Sequence, residues 1–458
     1  MEKNAFIFNT NKCVGCMACV AGCSIENGTT PQLNWRVVNG HNKIKHPGLP
    51  VFHFSLACNH CDDAPCMKNC PALAYTRDKD TGAIIHHAEA CIGCTYCTWA
   101  CPYDAPKFNE TTKVVEKCNF CVDRISDGKK PACAQACPVG ALDFSFDAKV
   151  DYKNHLSPGF VNMGIKPSIN LIPLREEHRK PTIENSDAIK FPIDIGKYQE
   201  KPPSKVELKK EWPLVLFTLA ASLLVAWQAA NLITGVSLPA LLFFSIAASA
   251  IFLTSMHVGK KLRLWRFILN LKGSWLSREI FAFSAFLGLG GLALLLKESN
   301  IQLFEHKVFD PKTIGYLALL FGSFTLISID MVYKFFRRKD SIKLHSALIS
   351  ITGPFLFAWF TQSLALIIAF TLIKLSLYLV RKVYLDKQKA KSKHWLTLTR
   401  IALLLLPLAA LIDYPSTPLW YLLPIILLGE VIDRSEFYTE SEIITPQGTL
   451  NELSLESN

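Results

Sequence analysis

The sequence predicts a two-part protein: a small α+β domain built around cysteine, then an all-α domain of about eight helices that crosses a membrane. Three observations predict it. All 16 cysteines of the 458-residue chain precede position 138. They fall into four sets of four with none left over. From Trp212 onward the composition changes to long apolar runs rich in Leu, Ala, Ile and Phe.

The set Cys91, Cys94, Cys97 and Cys101 establishes the pattern, with a cysteine at every third residue, a fourth after three more, and Pro102 closing the run. Three thiolates so spaced wrap one iron–sulfur cubane, while the fourth points away and ligates a neighbouring cluster. A disulfide reading is poor, because near neighbours at this spacing are bridged only with strain. Zinc wants four ligands closing on one ion and gives the Cys-Pro ending no role. Cys13, Cys16, Cys19 and Cys23 repeat the spacing, with Ser24 in place of the proline. Cys58, Cys61, Cys66 and Cys70 widen the second gap and end in Pro71; Cys118, Cys121, Cys133 and Cys137 stretch it further and end in Pro138. Four complete ligand sets predict 4Fe–4S clusters and folding in a reducing compartment. The implied class is a ferredoxin-like α+β iron–sulfur domain of two double-cluster modules, in which metal binding is also folding energy.

In chain order, residues 1–142 form the cluster domain. Its start, through Phe6-Ile7-Phe8, reads as a strand, with neither an apolar signal core nor a twin arginine before Cys13. Thr81-Gly82-Ala83-Ile84-Ile85 reads as a hairpin edge beside a cluster loop. Residues 143–211, rich in Pro, Lys, Asp and Glu, read as an extended connector, either a solvated linker or a docking strap for a partner. Residues 212–433 form the membrane domain, and 434–458 a polar tail.

Eight apolar runs lie near 212–234, 238–258, 279–296, 314–333, 344–362, 363–380, 397–412 and 418–432. Most reach the roughly 20 residues that a bilayer core requires; the last two are short. Trp212, Trp265, Trp275, Trp395 and Trp420 stand near run ends, where an indole prefers the headgroup region. The net charge of +11 raises nucleic acid as a partner, but its distribution excludes that reading. Segments 260–278, 334–343 and 381–400 hold six, five and seven Lys or Arg residues, whereas the loops between the other run ends hold only Lys297, Lys307 and Lys312. Eighteen against three is a membrane-orientation pattern, and it predicts an inner-membrane protein with its cluster domain and both termini cytoplasmic.

His257 ends the second run and Glu279 begins the third, both on the cluster side. Two readings stand side by side. A His and a Glu at facing helix ends can accept protons from a quinol and bond its ring oxygens. Alternatively both are interface residues, His257 wetted by headgroups and Glu279 stabilised by the helix dipole. Bis-histidine haem needs histidines at matched depth on facing helices; His257, His306, His345 and His394 all lie in or beside loops, so no haem is expected. Lys374, inside the sixth run, reads as a snorkelling lysine, and Asp330 and Glu430 as secondary candidates for a proton path.

These motifs carry a resemblance. The cysteine sets resemble the four-cluster subunit of the dimethyl sulfoxide reductase family of molybdenum oxidoreductases. The stretch from Glu211-Trp212-Pro213-Leu214, through Met256-His257-Val258-Gly259, to Ser274-Trp275-Leu276-Ser277-Arg278-Glu279-Ile280 resembles the eight-helix membrane anchor of the same enzymes. Here the two would be joined in one polypeptide. The resemblance implies crossed ligation: Cys13, Cys16 and Cys19 with Cys137; Cys118, Cys121 and Cys133 with Cys23; Cys58, Cys61 and Cys66 with Cys101; Cys91, Cys94 and Cys97 with Cys70. Some relatives carry Trp at the position of Cys94 and hold three irons there; Cys94 implies four. It further implies that His257 and Glu279 serve the quinol site, that menaquinol is oxidised there, and that electrons pass to a separate molybdopterin-containing subunit. Two rivals remain: the same chain run in reverse, from a dehydrogenase partner to quinone, and a cluster-coupled ion transporter.

Overall fold

The computed structural model describes residues 2–42, 50–152, 160, 164–179, 205–299, 310–333, 345–387, 394–440 and 445–450. They form two compact units: Met1–Lys205 with Gly259–Gly273 and Ile443–Asn458, and Val206–Val258 with Ser274–Glu442.

The first unit is built on β1 (Glu2–Asn9), whose Phe-Ile-Phe core suits a pleated, half-buried surface. It is the middle strand of three. β8 (Leu142–Lys149) runs antiparallel to it with Phe6 opposite Phe144, and β9 (Ile169–Ile172) runs parallel with Phe6 opposite Ile169. Phe6 turns inward, edge-on to Phe120 and Phe144 at 5.2 and 5.8 Å. Three short antiparallel pairs complete the strands: β2 (Val37–His41) with β3 (Phe52–Leu56), β4 (Tyr75–Arg77) with β5 (Ile84–His86), and β6 (Lys107–Asn109) with β7 (Val114–Glu116). The expected strand at the start and the hairpin edge at Ile84-Ile85 are both present. Helices are brief: α1 (Ala18–Asn27), α2 (Pro65–Lys68), α3 (Tyr96–Ala100), α4 (Val122–Ser126) and α5 (Ala132–Gln135).

The expected connector is corrected at its near end. Residues 142–149 and 169–172 are strands of the central sheet, because β1 needs partners on both edges. Residues 180–204 lie outside the described residues. The segment Gly259–Gly273, expected as a loop of the membrane domain, also packs within the first unit.

The second unit contains eight α-helices among the described residues: α6 (Leu208–Thr234), α7 (Ala240–Met256), α8 (Trp275–Ser299), α9 (Pro311–Tyr333), α10 (Ile349–Phe360), α11 (Leu364–Lys387), α12 (His394–Asp413) and α13 (Leu419–Glu440). Five, α6, α8, α9, α11 and α12, are long and apolar enough to cross a membrane, and six are if α7 counts together with the short helical segment after it. At 12 residues α10 is too short alone, and α13 carries Glu430, Asp433, Arg434, Glu436 and Glu440. The boundary expected at 433 falls inside α13, whose last turns bury Arg434, Glu436, Phe437 and Tyr438. Trp212, Trp265, Trp395 and Trp420 are all exposed, as headgroup-seeking indoles would be.

Candidate functional sites

The cysteine loops share one backbone device. Gly15 and Gly93, each just before the second cysteine of its set, take φ of 71° and 72°, and Met17 and Thr95, just after it, take φ of 63° and 58°. Left-handed non-glycine residues cost about 1–2 kcal/mol each and persist only where the surroundings demand them. The turn directs backbone N–H groups at sulfur: Gly93 donates to Cys91 Sγ at 3.4 Å and Phe120 to Cys118 Sγ at 3.3 Å. Such concave runs of N–H favour an anionic guest.

Thiols from distant sets meet. Cys13, Cys16, Cys19 and Cys137 line one hollow, with about 310 Å³ of empty space. Cys70, Cys91, Cys94 and Cys97 line a second of about 310 Å³ with Tyr75 and His86. Cys23 neighbours Cys133 and Cys121, and Cys118 neighbours all three. Cys66 and Cys61 neighbour Cys58 and Cys101. Among the described residues no three His, Cys, Asp or Glu side chains stand close enough to chelate one metal ion; the thiols surround spaces. Burial pushes the Cys23 thiol up to about 12, with Cys133 adding to it, and raises Cys94 and Cys133 as well. Buried thiols so poor at ionising need iron to hold them as thiolates.

The surrounding polar groups fit a sulfur-rich guest. His60 is fully buried, its ring 4.1 Å from that of Phe120. Burial, with Lys117, Arg77 and Arg36 adding to it, keeps its pKa far below the usual value, so the ring is neutral. Its Nδ1 accepts from Ile84 N at 2.9 Å, which places the proton on Nε2, and Nε2 has no acceptor among the described residues. Arg36 Nε is likewise buried without a hydrogen-bond partner among the described residues, and the Tyr75 hydroxyl is turned to the Cys97 thiol. Unmet donors beside thiol-lined hollows are the reverse of ordinary packing, and cluster sulfides would satisfy them.

The segment Gly259–Gly273 grips the second hollow from outside. Arg263 Nη1 donates to Ala88 O and Cys91 O at 2.7 and 3.1 Å, and Asn270 Nδ2 donates to Cys70 O at 2.9 Å. Gly259 N bonds Gly93 O at 3.4 Å, and a Cβ on Gly259 would lie 2.3 Å from Lys113 O, so this backbone contact requires glycine.

In the second unit, His257 Nδ1 lies 3.2 Å from Glu211 Oε2, which the sequence places as the last residue of the connector. Glu279 is buried within electrostatic reach of Arg434 and Asp330, and Tyr438 within reach of Glu211, Glu279 and Arg434. Tyr438 and Tyr333 share a hydrogen bond, and the Arg434 guanidinium lies over the rings of Tyr333, Phe437 and Tyr438, with Nε and Nη2 unpaired. His257 and Glu279 thus belong to one buried group that also holds Glu211, Arg434 and Tyr438. The last three lie 46 residues before or 155 and more after Glu279 or His257 in sequence, beyond any local motif.

Three expectations are corrected. Lys374 does not snorkel: it is 0% exposed, 2.9 Å from Glu430, and donates to Ser346 O at 2.6 Å. Glu430 also binds Arg400 at 2.8 Å, so it is an ion-pair partner rather than a lone proton carrier. Asp330 accepts from Ile349 N and Ser350 N at 2.9 and 2.8 Å, capping α10 from α9. Three of the eighteen basic residues counted as loop charges, Arg381, Lys382 and Arg400, are buried in this network.

Comparison with known proteins bears on the first unit. Residues 49–146, which hold twelve of the sixteen cysteines, match the family described as 4Fe-4S dicluster domain. The sequence is 37% identical over 147 residues to one polypeptide of the anaerobic dimethyl sulfoxide reductase of Escherichia coli, covering 30% of this protein and 71% of that one. It is 33% identical over 204 residues to one component of the sulfite dehydrogenase of Allochromatium vinosum, covering 38% and 85%. Against one component of the tetrathionate reductase of Salmonella typhimurium it is 38% identical over 143 residues, covering 31% and 56%.

Proposed function

This protein belongs to the family of iron–sulfur subunits of dimethyl sulfoxide reductase-type molybdenum oxidoreductases, and from that premise we propose that it oxidises menaquinol in the membrane and delivers the electrons to a separate molybdopterin-containing catalytic subunit. The observation that carries this is the meeting of thiols from different sets around shared hollows, in a chain that also carries apolar helices and a His257 paired with the buried carboxylate Glu211. When bound, four 4Fe–4S clusters would supply one-electron carriers between the two-electron quinol and the partner. The hollows favour crossed ligation: Cys13, Cys16, Cys19 and Cys137; Cys23, Cys118, Cys121 and Cys133; Cys58, Cys61, Cys66 and Cys101; Cys70, Cys91, Cys94 and Cys97.

The chain's own residues have three tasks in this reading. The left-handed cysteine turns and the buried donors hold negative charge out of water. His257 takes a quinol proton on Nε2 while Glu211 fixes its Nδ1, and Glu279 takes or relays the second. Loop charge supports a cytoplasmic cluster unit, even with three of the eighteen basic residues set aside as buried.

The direction of flow is a property of the partner. Two of the three relatives are named for reductases and one for a dehydrogenase, so the reverse reading stays open to the same assay run from substrate to quinone. An ion transporter would need ionisable residues deep among the helices. The second unit has them, and their mutual pairing supports a clamp between helices instead.

The test is kinetic. His257→Ala or Glu279→Gln should lower quinol-driven turnover by about 10²–10⁴-fold while reduction from a soluble artificial donor survives. Normal quinol kinetics in both variants would move the site elsewhere.

A further inference from the structure

Among the described residues Arg36 is the most deeply buried cation of the first unit, at 2% exposure, and it occupies no place in the cysteine pattern. It enters the interior from the residue before β2. Its guanidinium lies 4.7 Å from the Phe6 ring centroid, and Nη1 donates to Ser55 Oγ at 3.1 Å and Ser55 O at 3.4 Å. Ser55 Oγ is in turn 3.3 Å from Cys19 Sγ. Nε has no partner, and no carboxylate among the described residues pairs with the side chain. Burial opposes its charge, but Cys133, Cys19, Cys118 and Cys23 more than offset that and keep its pKa above the ordinary arginine value. Those four thiols come from two different proposed ligand sets.

Lys117 makes an instructive contrast. It too is buried, but its ammonium gives its hydrogen bonds to backbone carbonyls, Ile84 O and Cys118 O. Arg36 differs in that its Nε has no hydrogen-bond partner among the described residues and thiols of two proposed sets lie within its electrostatic reach.

The geometry points to Arg36 as a positioning residue for electron flow: a fixed positive charge shared by the Cys13–Cys16–Cys19–Cys137 and Cys23–Cys118–Cys121–Cys133 sites, which raises the reduction potential of both. This rests on the four-cluster reading above. Reduction at either site adds one electron, supplied by quinol, with no proton taken up and no bond made or broken. A permanent cation in a low-dielectric interior therefore favours the reduced form, and a donated N–H to sulfur acts in the same direction. Shared between two sites, the charge moves both potentials in the same direction, so it raises the pair without widening the step between them.

The experiment is a potentiometric titration of the intact complex, followed by electron paramagnetic resonance, beside iron analysis of the same samples. Arg36→Gln removes the charge and Arg36→Lys retains it. Expected for Arg36→Gln, at unchanged iron content, is a fall in two of the four midpoints by at least tenfold in the reduced-to-oxidised ratio, about 59 mV for one electron. The other two should hold, and Arg36→Lys should fall less. Four unmoved midpoints, four equal shifts, or Lys falling as far as Gln would overturn the proposal. If either variant loses iron, Ser55→Ala decides: it keeps the charge but removes a partner of both the guanidinium and Cys19 Sγ, so the midpoint of the Cys23–Cys118–Cys121–Cys133 site, whose ligands Ser55 does not touch, must fall, or the proposal fails. An unaltered protein with fewer than four clusters would instead sink the reading beneath it.

Discussion

Both units bury charge, and they complete it differently. In the helical unit Lys374, Arg381, Lys382 and Arg400 each reach a carboxylate of α13, at 2.9, 2.9, 2.7 and 2.8 Å. Cations and carboxylates balance without any guest, and the pairs tie α11 and α12 to α13. In the cluster unit Arg36 and Lys117 pair with no carboxylate among the described residues; thiols and unmet donors surround them. The first arrangement is whole as protein, whereas the second is whole only with a sulfur-rich cofactor in place. Damage to the helical network should therefore be read in stability, and damage to the cluster surroundings in potential.

Breaking the helical network by one half should have the largest effect. Lys374→Met leaves Glu430 buried with Arg400 alone, and removing one partner of a buried pair costs about 3–5 kcal/mol. Unfolding in detergent should show that loss, and Lys374→Met with Glu430→Gln should recover most of it. A single variant of full stability that loses quinol turnover would instead assign the network to proton movement. The smallest effect is expected at Asp330. Asp330→Ala removes the cap on α10 and should cost about 0.5–2 kcal/mol with quinol kinetics intact. Loss of turnover at unchanged stability would return Asp330 to the proton path.

How much was legible follows the same division. Cysteine spacing is local, so the four sets, the ferredoxin-like class and the opening strand could be read directly, and the comparison with 4Fe-4S dicluster domains agrees. Apolar length is local too, and it located the helices of the second unit within a few residues. Pairing across the chain is not local. Arg381 meets Glu436 55 residues away, so it counted as a loop charge although it is buried. Glu211 read as the end of the connector because nothing near it announces His257. Arg36, flanked by Trp35 and Val37, has no motif at all; only the fold brings sulfur to it from four distant positions. The strand β9 was hidden in a polar, proline-rich stretch, since its place beside β1 depends on a return of the chain that no periodicity marks.

The central claim is that the sixteen thiols form four cluster sites with no ligand to spare. The direct measurement is iron and acid-labile sulfide per polypeptide, on protein purified without air. Four 4Fe–4S clusters predict about sixteen of each. About eight of each, reproducibly and with all thiols intact, would contradict the account, since half the hollows and half the unmet donors would then lack the guest that explains them.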